Sequence, residues 1–444
     1  MSSRCLRAVL GGFVCLLSVV EADAAETKYV NATCGDDAWT GQNASCTGPN
    51  GPKKTIQAGI DAAANGDTVL VAPGTVETPT YVGPDNRHLT WSGKNIVLRC
   101  DDYVHGCVID CQNSQRAFTF TSPLTAASKV IGFKIINGRH TTDPDDAGGG
   151  FRIMNASLEV FNNVVEDCST YIHANGGGMA ISGTSAAPTI RHNVFRRCFS
   201  HKLGGAISSE HGADPLLEQN QFFENEALFG GGGVGLDSPG TVRDCYFESN
   251  RTDSYGGGLY AGNYVVLIRD SLIRLNTSLN GTGGGVFLSG GTGSDYSIVG
   301  CTVEQNVSTG AYGGGIGMKH GANTRIYNSK IVGNTCAGQQ GGGVYLVQSH
   351  ARIYNTLIAK NIAGKGGGIY AEAPWMLDIV NCTVADNEGS YHNSEPGGGG
   401  LHVALPPDPP VPVNIRNSIF WGNITSSNSG HQIRSVVNHN WCTV

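Results

Sequence analysis

The sequence predicts an all-β fold, a right-handed parallel β-helix solenoid with a short N-terminal capping helix, and three observations carry that prediction. A nine-residue pattern recurs ten times; its clearest copy reads Ile379, any residue, Asn381, Cys382, any residue, Val384, any two residues, Asn387. Each copy is partnered by a run of glycines, and the runs end at Gly150, Gly178, Gly205, Gly233, Gly258, Gly285, Gly315, Gly343, Gly368 and Gly400, an average interval of about 28 residues. Intervals of that size mark stacked supersecondary units that bury their apolar faces only against their neighbours. Within a unit, apolar residues alternate, as in Val344 and Leu346 or Val286 and Leu288, which reads as a short strand with one face inward.

Taken in chain order, residues 1–25 read as a secretory signal. Arg4 and Arg7 precede an apolar stretch from Ala8 to Val20, and Ala22-Asp23-Ala24 offers a small-residue cleavage site. No later segment approaches 18 continuous apolar residues, so no membrane-spanning helix is expected. Cys34 and Cys46 flank a Gly-, Asp- and Asn-rich loop and are expected to form a disulfide. Lys54 to Ala64 reads as a short amphipathic helix, with Thr55 as N-cap and Ile56 and Ile60 on one face; it ends at the Asn65-Gly66-Asp67 turn. Thr68 to Val71 reads as the first strand, and a helix at the head of a solenoid covers an edge that would otherwise pair with other chains. Cys100, Cys107 and Cys111 are crowded enough for one more bridge, with the pairing open among the three.

Length alone would suggest two or three domains, but a repeat array grows along one axis and overrides that expectation. A single domain is expected over 26–444: irregular cap and coils over 26–147, regular repeats over 148–423, and an incomplete end over 424–444. In the pattern, Ile379 and Cys382 differ by an odd number, so the inward face changes parity and a bend falls near Asn381. The closing Asn387 reads as a turn residue whose amide can hydrogen-bond its neighbours in a stack. Three strands and three bends per coil are expected, right-handed by the rule for parallel crossovers. Cys245, Cys301 and Cys382 fall in the slot otherwise held by Ser271, Ser329 and Thr356, while Cys168 and Cys198 replace the closing Asn. All five read as small inward-facing fillers, and their spacing lacks the paired knuckles of a zinc site.

Several segments resemble known families. Gly204-Gly205-Ala206-Ile207, with Phe222 to Asn225, Phe247 to Asn250 and Phe420 to Asn423, is similar to the paired motifs of polymorphic outer membrane protein repeats. The opening stretch, Tyr29-Val30-Asn31, Thr55-Ile56-Gln57 and Gly66 to Thr75, resembles the head of secreted β-helix proteins of the pectate-lyase-like superfamily, as do Val108 to Cys111 and Ile135 to Gly138. The resemblance implies a β-helix that is secreted or associated with the outer surface, with a polysaccharide, a cell-surface glycan or surface proteins as partner. The intact motifs of polygalacturonases and alginate epimerases are absent; Asp143-Pro144-Asp145-Asp146 is a partial echo of the latter. Surface-displayed members continue into a translocator or sorting tail, whereas this sequence stops at Val444, soon after the Asn423 coil.

Composition narrows the function further. Charged residues are 15% of the chain and the net charge is -7, which is a poor match for nucleic acid, whose phosphates demand clustered Lys and Arg. Residues equally spaced from the glycine runs line up in a solenoid, so Glu210 and His211, Asp237, Asn263, Lys319 and His320, Gln348 and Glu372 form a polar stripe with Trp375 nearby. As a solvated face the stripe needs no function; as a glycan groove it offers Lys319 or His320 as base and Glu210 or Glu372 as acid. A second stripe just before the runs includes Tyr171, His173, His201, Lys202, Phe229, Tyr255 and Tyr312. Its aromatic rings suit flat sugar faces or partner proteins, or else shield the stacked turns. Tyr255, Tyr312, Tyr171, His201 and Trp375 are the candidate binding residues. No cofactor is required by any motif, although Arg139, His140, Asp143, Asp145 and Asp146 form a loop that could hold calcium. Two functional classes remain: a carbohydrate-binding or adhesin-like β-helix without chemistry, and a polysaccharide lyase or related enzyme acting on uronate-rich polymers.

Overall fold

A computed structural model describes residues 24–74, 81–102, 106–121, 123–139, 147–291, 293–310, 312–390, 397–404, 413–425, 432–435 and 442–443. All strand pairs among them are parallel, and they stack into four sheets that the chain visits in turn. Following the chain around one coil from the glycine run, sheet 1 comes first, with twelve strands from Phe118–Phe120 to Ile433–Ser435. Sheet 2 follows, with fifteen strands from Thr27–Val30 to Cys442–Thr443. Sheet 3 has twelve strands from Cys107–Asp110 to Ile419–Trp421, and sheet 4 has nine two-residue strands from Phe199–Ser200 to Ile424–Thr425. Fourteen steps of about 4.8 Å along sheet 2 make a rod of about 67 Å.

Sheet 4 is a departure from the expected three strands per coil. Each of its strands turns only one residue inward, such as Ser278, Ser308 or Ala363, which is too short a run to show alternation in sequence. The other three sheets follow the predicted pattern. Ile331 and Val384 are fully buried in sheet 3, and Phe195, Phe222 and Phe247 stack in the same column with ring centroids 5.5 and 4.6 Å apart.

The bends explain the polar slots of the repeat. Asn381 has φ +55°, as do its counterparts within a few degrees: Asn355, Asn328 and Asp270 at 51°, 51° and 49°. Short polar side chains tolerate this left-handed conformation best. The closing Asn behaves differently from the expectation. The left-handed residue is the one before it, Asp386, Lys360 or Leu275, while the Asn itself is buried and stacked. Asn225, Asn250, Asn276, Asn306, Asn334, Asn361, Asn387 and Asn423 form one continuous ladder. In each rung the backbone N–H and Nδ2 both donate to Oδ1 of the next Asn, at 3.0 and 2.9 Å from Asn306 to Asn334. Nδ2 also donates to a carbonyl of the preceding coil, Ile273 O in the case of Asn306, at 2.9 Å. Gln432 Oε1 caps the last rung by accepting from Asn423.

A second ladder runs at the other bend. Asn163, Asn193 and Asn220 are linked Nδ2 to Oδ1, and from Cys245 onward the slot passes to thiols and hydroxyls: Cys245 N donates to Ser271 Oγ and Cys301 N to Ser329 Oγ. The five filler cysteines are buried thiols outside any disulfide, and Cys336 is a further buried thiol that faces inward in sheet 4. Cys34 is bonded to Cys46, and Cys100 to Cys107, which leaves Cys111 as the buried free thiol of that trio.

At the head of the rod the helix spans Ile56–Ala62, shorter than the sequence suggests, with Thr55 Oγ1 accepting from Ala58 N at 3.3 Å. Ile56, Gly59 and Ile60 are buried. Lys94 Nζ donates to the carbonyls of Ile60 and Ala63, both at 2.6 Å, and so satisfies two acceptors at the helix end. Beyond residue 423, Ile433–Ser435 joins sheet 1 and Cys442–Thr443 joins sheet 2, so the solenoid continues past the last regular repeat. The proposed signal segment lies outside the described residues up to residue 23.

Two substitutions test these assignments. Asn306→Ala strips two buried N–H donors of Asn276 of their acceptor and is expected to destabilise by about 3 kcal/mol, measured by urea unfolding. Ile331→Asp is expected to lose more than about 3 kcal/mol through an unpaired buried charge; wild-type stability in either variant contradicts the register.

Candidate functional site

The surface of sheet 1 varies along the rod at one position. Each strand points its first and third residues inward, and the second residues form an outward column set by the in-register pairing. From Tyr260 to His402 this column is aromatic except at Gly317. Tyr260 and Phe287 lie near each other, Tyr345 and Tyr370 stack at 5.8 Å, and Tyr370 stacks on His402 at 5.0 Å. Residues preceding the glycine runs fold over it: Tyr255 stacks on Phe287 and Tyr312 on Tyr345, both at 4.6 Å. In the earlier coils the column is Arg152, Ala180, Ser208 and Gly235. Leu203 covers Gly235, where a Cβ would come within 3.1 Å of the leucine Cβ.

Small side chains without an aromatic cover leave a groove of about 620 Å³ over the first of these coils. Ala180 and Ser182 form part of its lining, and Arg152, His173, Lys202, Glu210 and His211 bring charged and titratable groups to it. Glu210 ends its strand in register with Asp237 of the next coil. Burial raises the Glu210 carboxyl above its ordinary range, opposed by the charge of His211, the Asn175 amide and the charge of Lys202. Burial likewise raises Asp237, again opposed by His211. Tyr171, at 38% exposure, and Ile172, at 48%, stand on the same loop as His173.

The polar stripe read from the sequence is one column but not one site. Glu210 and Lys319 are four strand steps apart, about 19 Å along the rod, so they cannot act on the same bond. Lys319 instead sits over aromatic rings, its Nζ 4.6 Å from the Tyr312 centroid and 5.6 Å from Tyr345. Burial lowers its pKa and the Glu372 charge opposes that shift. Glu372 is exposed and accepts from the Tyr345 hydroxyl at 3.4 Å. His211, Asn263, His320 and Gln348 occupy the corner that follows each strand, with φ of 55°, 45°, 60° and 45°. Part of the stripe is therefore a turn requirement.

The aromatic candidates divide in the same way. Tyr255 and Tyr312 are half-buried against their ring partners and shield the stacked turns. His201 lies edge-on to Phe199, with Nδ1 3.1 Å from the Thr170 carbonyl. Trp375, at 51% exposure, stands at another corner beside His350 and over Gly321, where a Cβ would meet its ring at 2.9 Å. Arg152 and Asn175 were missed by sequence reading; comparing the second residue after each glycine run would have singled out Arg152. Among the described residues no three His, Cys, Asp or Glu side chains gather as a metal-ligand group. Of the expected calcium loop, Arg139 pairs with Ser169 and residues 140–146 lie outside the described residues. No described helix is long and apolar enough to cross a membrane.

The corner assignment has a direct check. His320→Gly is expected to keep wild-type stability, whereas His320→Val loses about 1–2 kcal/mol to the left-handed backbone, read as a shift in melting temperature.

No curated protein matches the chain. Among solved structures, the A-module of the Azotobacter vinelandii mannuronan C-5 epimerase AlgE6 is similar over 86% of this chain and 95% of that module, with 13% identity and a TM-score of 0.34. Residues 262–441 match the family model described as the right handed beta helix region, and with all four sheets parallel and in register the chain is a right-handed parallel β-solenoid.

Proposed function

We propose that this protein is a secreted or surface-associated β-helix that binds acidic glycan in the groove around Arg152, Lys202 and Glu210. The observation that carries the reading is the convergence of Arg152, His173, Lys202 and His211 on a surface of small side chains. A guanidinium pairs with a carboxylate through two parallel hydrogen bonds, and an ammonium adds a point charge. The short, half-buried Ser182 leaves room for a sugar ring at the strand end, and the exposed ring of Tyr171 suits its apolar face. Export is supported by the N-terminal charge and apolar pattern and by two disulfides, which persist in oxidising compartments. The aromatic stack of the later coils argues against a groove along the whole rod, because its rings are covered by one another and by Lys319.

A second reading rests on Glu210 and Asp237. Two carboxyls raised by burial, in register on neighbouring strands and beside His211, are suited to proton transfer. On that reading the protein is a polysaccharide lyase or related enzyme acting on uronate polymers.

Affinity electrophoresis through gels carrying uronate polymers is expected to retard the mature chain. Ala180→Tyr, which places in the groove the kind of ring that fills the same column at Tyr260, is expected to abolish the retardation without lowering the melting temperature by more than a few degrees. Retardation that survives Ala180→Tyr places the binding elsewhere. For the enzymatic reading, absorbance of an unsaturated product is followed with and without calcium. Turnover of order 1 per second that disappears in Glu210→Gln selects the enzyme over the binder.

A further inference from the structure

We propose that asparagine-linked glycosylation and folding exclude one another at four rungs of the ladder, Asn250, Asn276, Asn306 and Asn423. Oligosaccharide on the native rod is confined to sites outside the ladder, of which Asn43, Asn155, Asn280 and Asn381 are exposed.

The triplet Asn-x-Ser/Thr, which marks a glycosylation site, occurs nine times in the sequence, and four of its copies are a by-product of the architecture. The ladder Asn stands two residues before the inward residue of sheet 4, and that slot takes small side chains. Thr252, Ser278, Ser308 and Thr425 complete a triplet there, whereas Ala227 and Ala363 do not. A stacked amide and a small residue in sheet 4 are separate packing requirements, and together they spell the triplet.

Transfer joins Asn Nδ2 to the anomeric carbon of an oligosaccharide carried on a lipid diphosphate. The new C–N bond replaces the C–O bond to the diphosphate, the lipid diphosphate leaves, and Nδ2 gives up one of its two protons. In the ladder both protons are committed. Asn250 Nδ2 donates to Phe222 O and Asn276 Oδ1, and Asn306 Nδ2 to Ile273 O and Asn334 Oδ1, all at 2.9 Å. Asn276 Nδ2 donates to Phe247 O at 3.2 Å and Asn306 Oδ1 at 2.9 Å, and Asn423 Nδ2 to Val384 O at 2.8 Å and Gln432 Oε1 at 2.7 Å. All four asparagines are fully buried, and the glycine runs lie against them: one carbon added at Gly285 or Gly400 would stand 2.9 Å from Nδ2 of Asn306 or Asn423. A sugar on any of these nitrogens removes a buried hydrogen bond and needs space that stacked backbone fills. Asn250 and Asn276 are 26 residues apart, so a rung closes only once the next coil exists, while the unfolded chain presents every triplet alike. Whichever comes first at a rung, transfer or stacking, forbids the other. The exposed sites carry no such conflict, since a glycan there extends into solvent.

The experiment is secretion of the mature chain from a eukaryotic host. Glycan occupancy is mapped by peptide mass spectrometry, separately on the secreted and the cell-retained protein, and the chain exported to a bacterial periplasm serves as the unglycosylated reference. The secreted protein is expected to melt with the reference, to carry glycan at Asn43, Asn155, Asn280 and Asn381, and to be bare at the four rungs. The retained protein is expected to carry glycan at one or more of those rungs. The variant Thr252→Ala/Ser278→Ala/Ser308→Ala/Thr425→Ala keeps every ladder Asn and removes only the triplets, and its secreted yield is expected to rise several-fold. Glycan at any of the four rungs in protein that melts with the reference overturns the proposal, and so does a retained fraction bare at all four. Exposed sites left bare in both fractions overturn it too, as does a variant that melts like wild type from the bacterial host yet is secreted no better from the eukaryotic one. The occupancy maps are made on wild-type protein, so the outcome does not depend on the variant folding.

Discussion

The asparagine ladder is the constraint on which the rest of this molecule depends. A buried amide is tolerated only when its donors and acceptor are all used, because an orphaned polar group in the interior costs about 1–3 kcal/mol. Here each Asn meets that condition solely through the coils on either side: its carbonyl oxygen serves the coil before, and its amide nitrogen serves the coil after and a carbonyl of the coil before. A slip of one residue in any coil breaks several of these bonds at once. Coil length is nevertheless free to vary, from 25 residues between Asn225 and Asn250 to 36 between Asn387 and Asn423, because the ladder constrains only the residues it bonds. The ladder fixes register and leaves loops unconstrained.

That division of labour places the groove. Inward positions are committed to packing and the two bends of the repeat to left-handed residues, so the outward second residue of sheet 1 is free to change from coil to coil. Where it is aromatic, rings from the loops pack onto it and close the surface, as Tyr312 does on Tyr345. At Ala180, itself buried, the side chain is small, and His173 and Lys202 line the groove beside it. The groove is thus a local absence of side-chain volume in an otherwise repetitive surface, furnished with charge by Arg152 in the same column.

This also explains what the sequence could and could not disclose. The inward ladders were legible because alternation and a fixed period are one-dimensional signals, and Ile331, Val384 and the filler cysteines lie where the pattern puts them. The head helix and the Cys34–Cys46 bond were legible from local chemistry. Sheet 4 was hidden because one inward residue per strand carries no period. The stripe of Glu210, Lys319 and Glu372 was legible as a column, since distance from a glycine run sets the position around the coil. Its division into separate places was not, because proximity along the axis depends on counting coils and on which side chains cover which. The left-handed corner at His320 competes with a catalytic meaning for the same residue, and only the backbone angle separates the two.

Among the stripe residues, Glu210 is the one whose position is hardest to explain by stability. A carboxyl whose folded pKa is raised makes the native state bind protons more tightly than the unfolded chain, so it stabilises the fold as pH falls and opposes it at neutral pH. The same column accepts Ser289 and Val347 in other coils, neither of which carries that cost. Lys319, by contrast, has its burial offset by two aromatic faces and the nearby Glu372 charge. A solenoid can vary this position without disturbing its ladders, so the acid at Glu210 is not something the building of the rod requires.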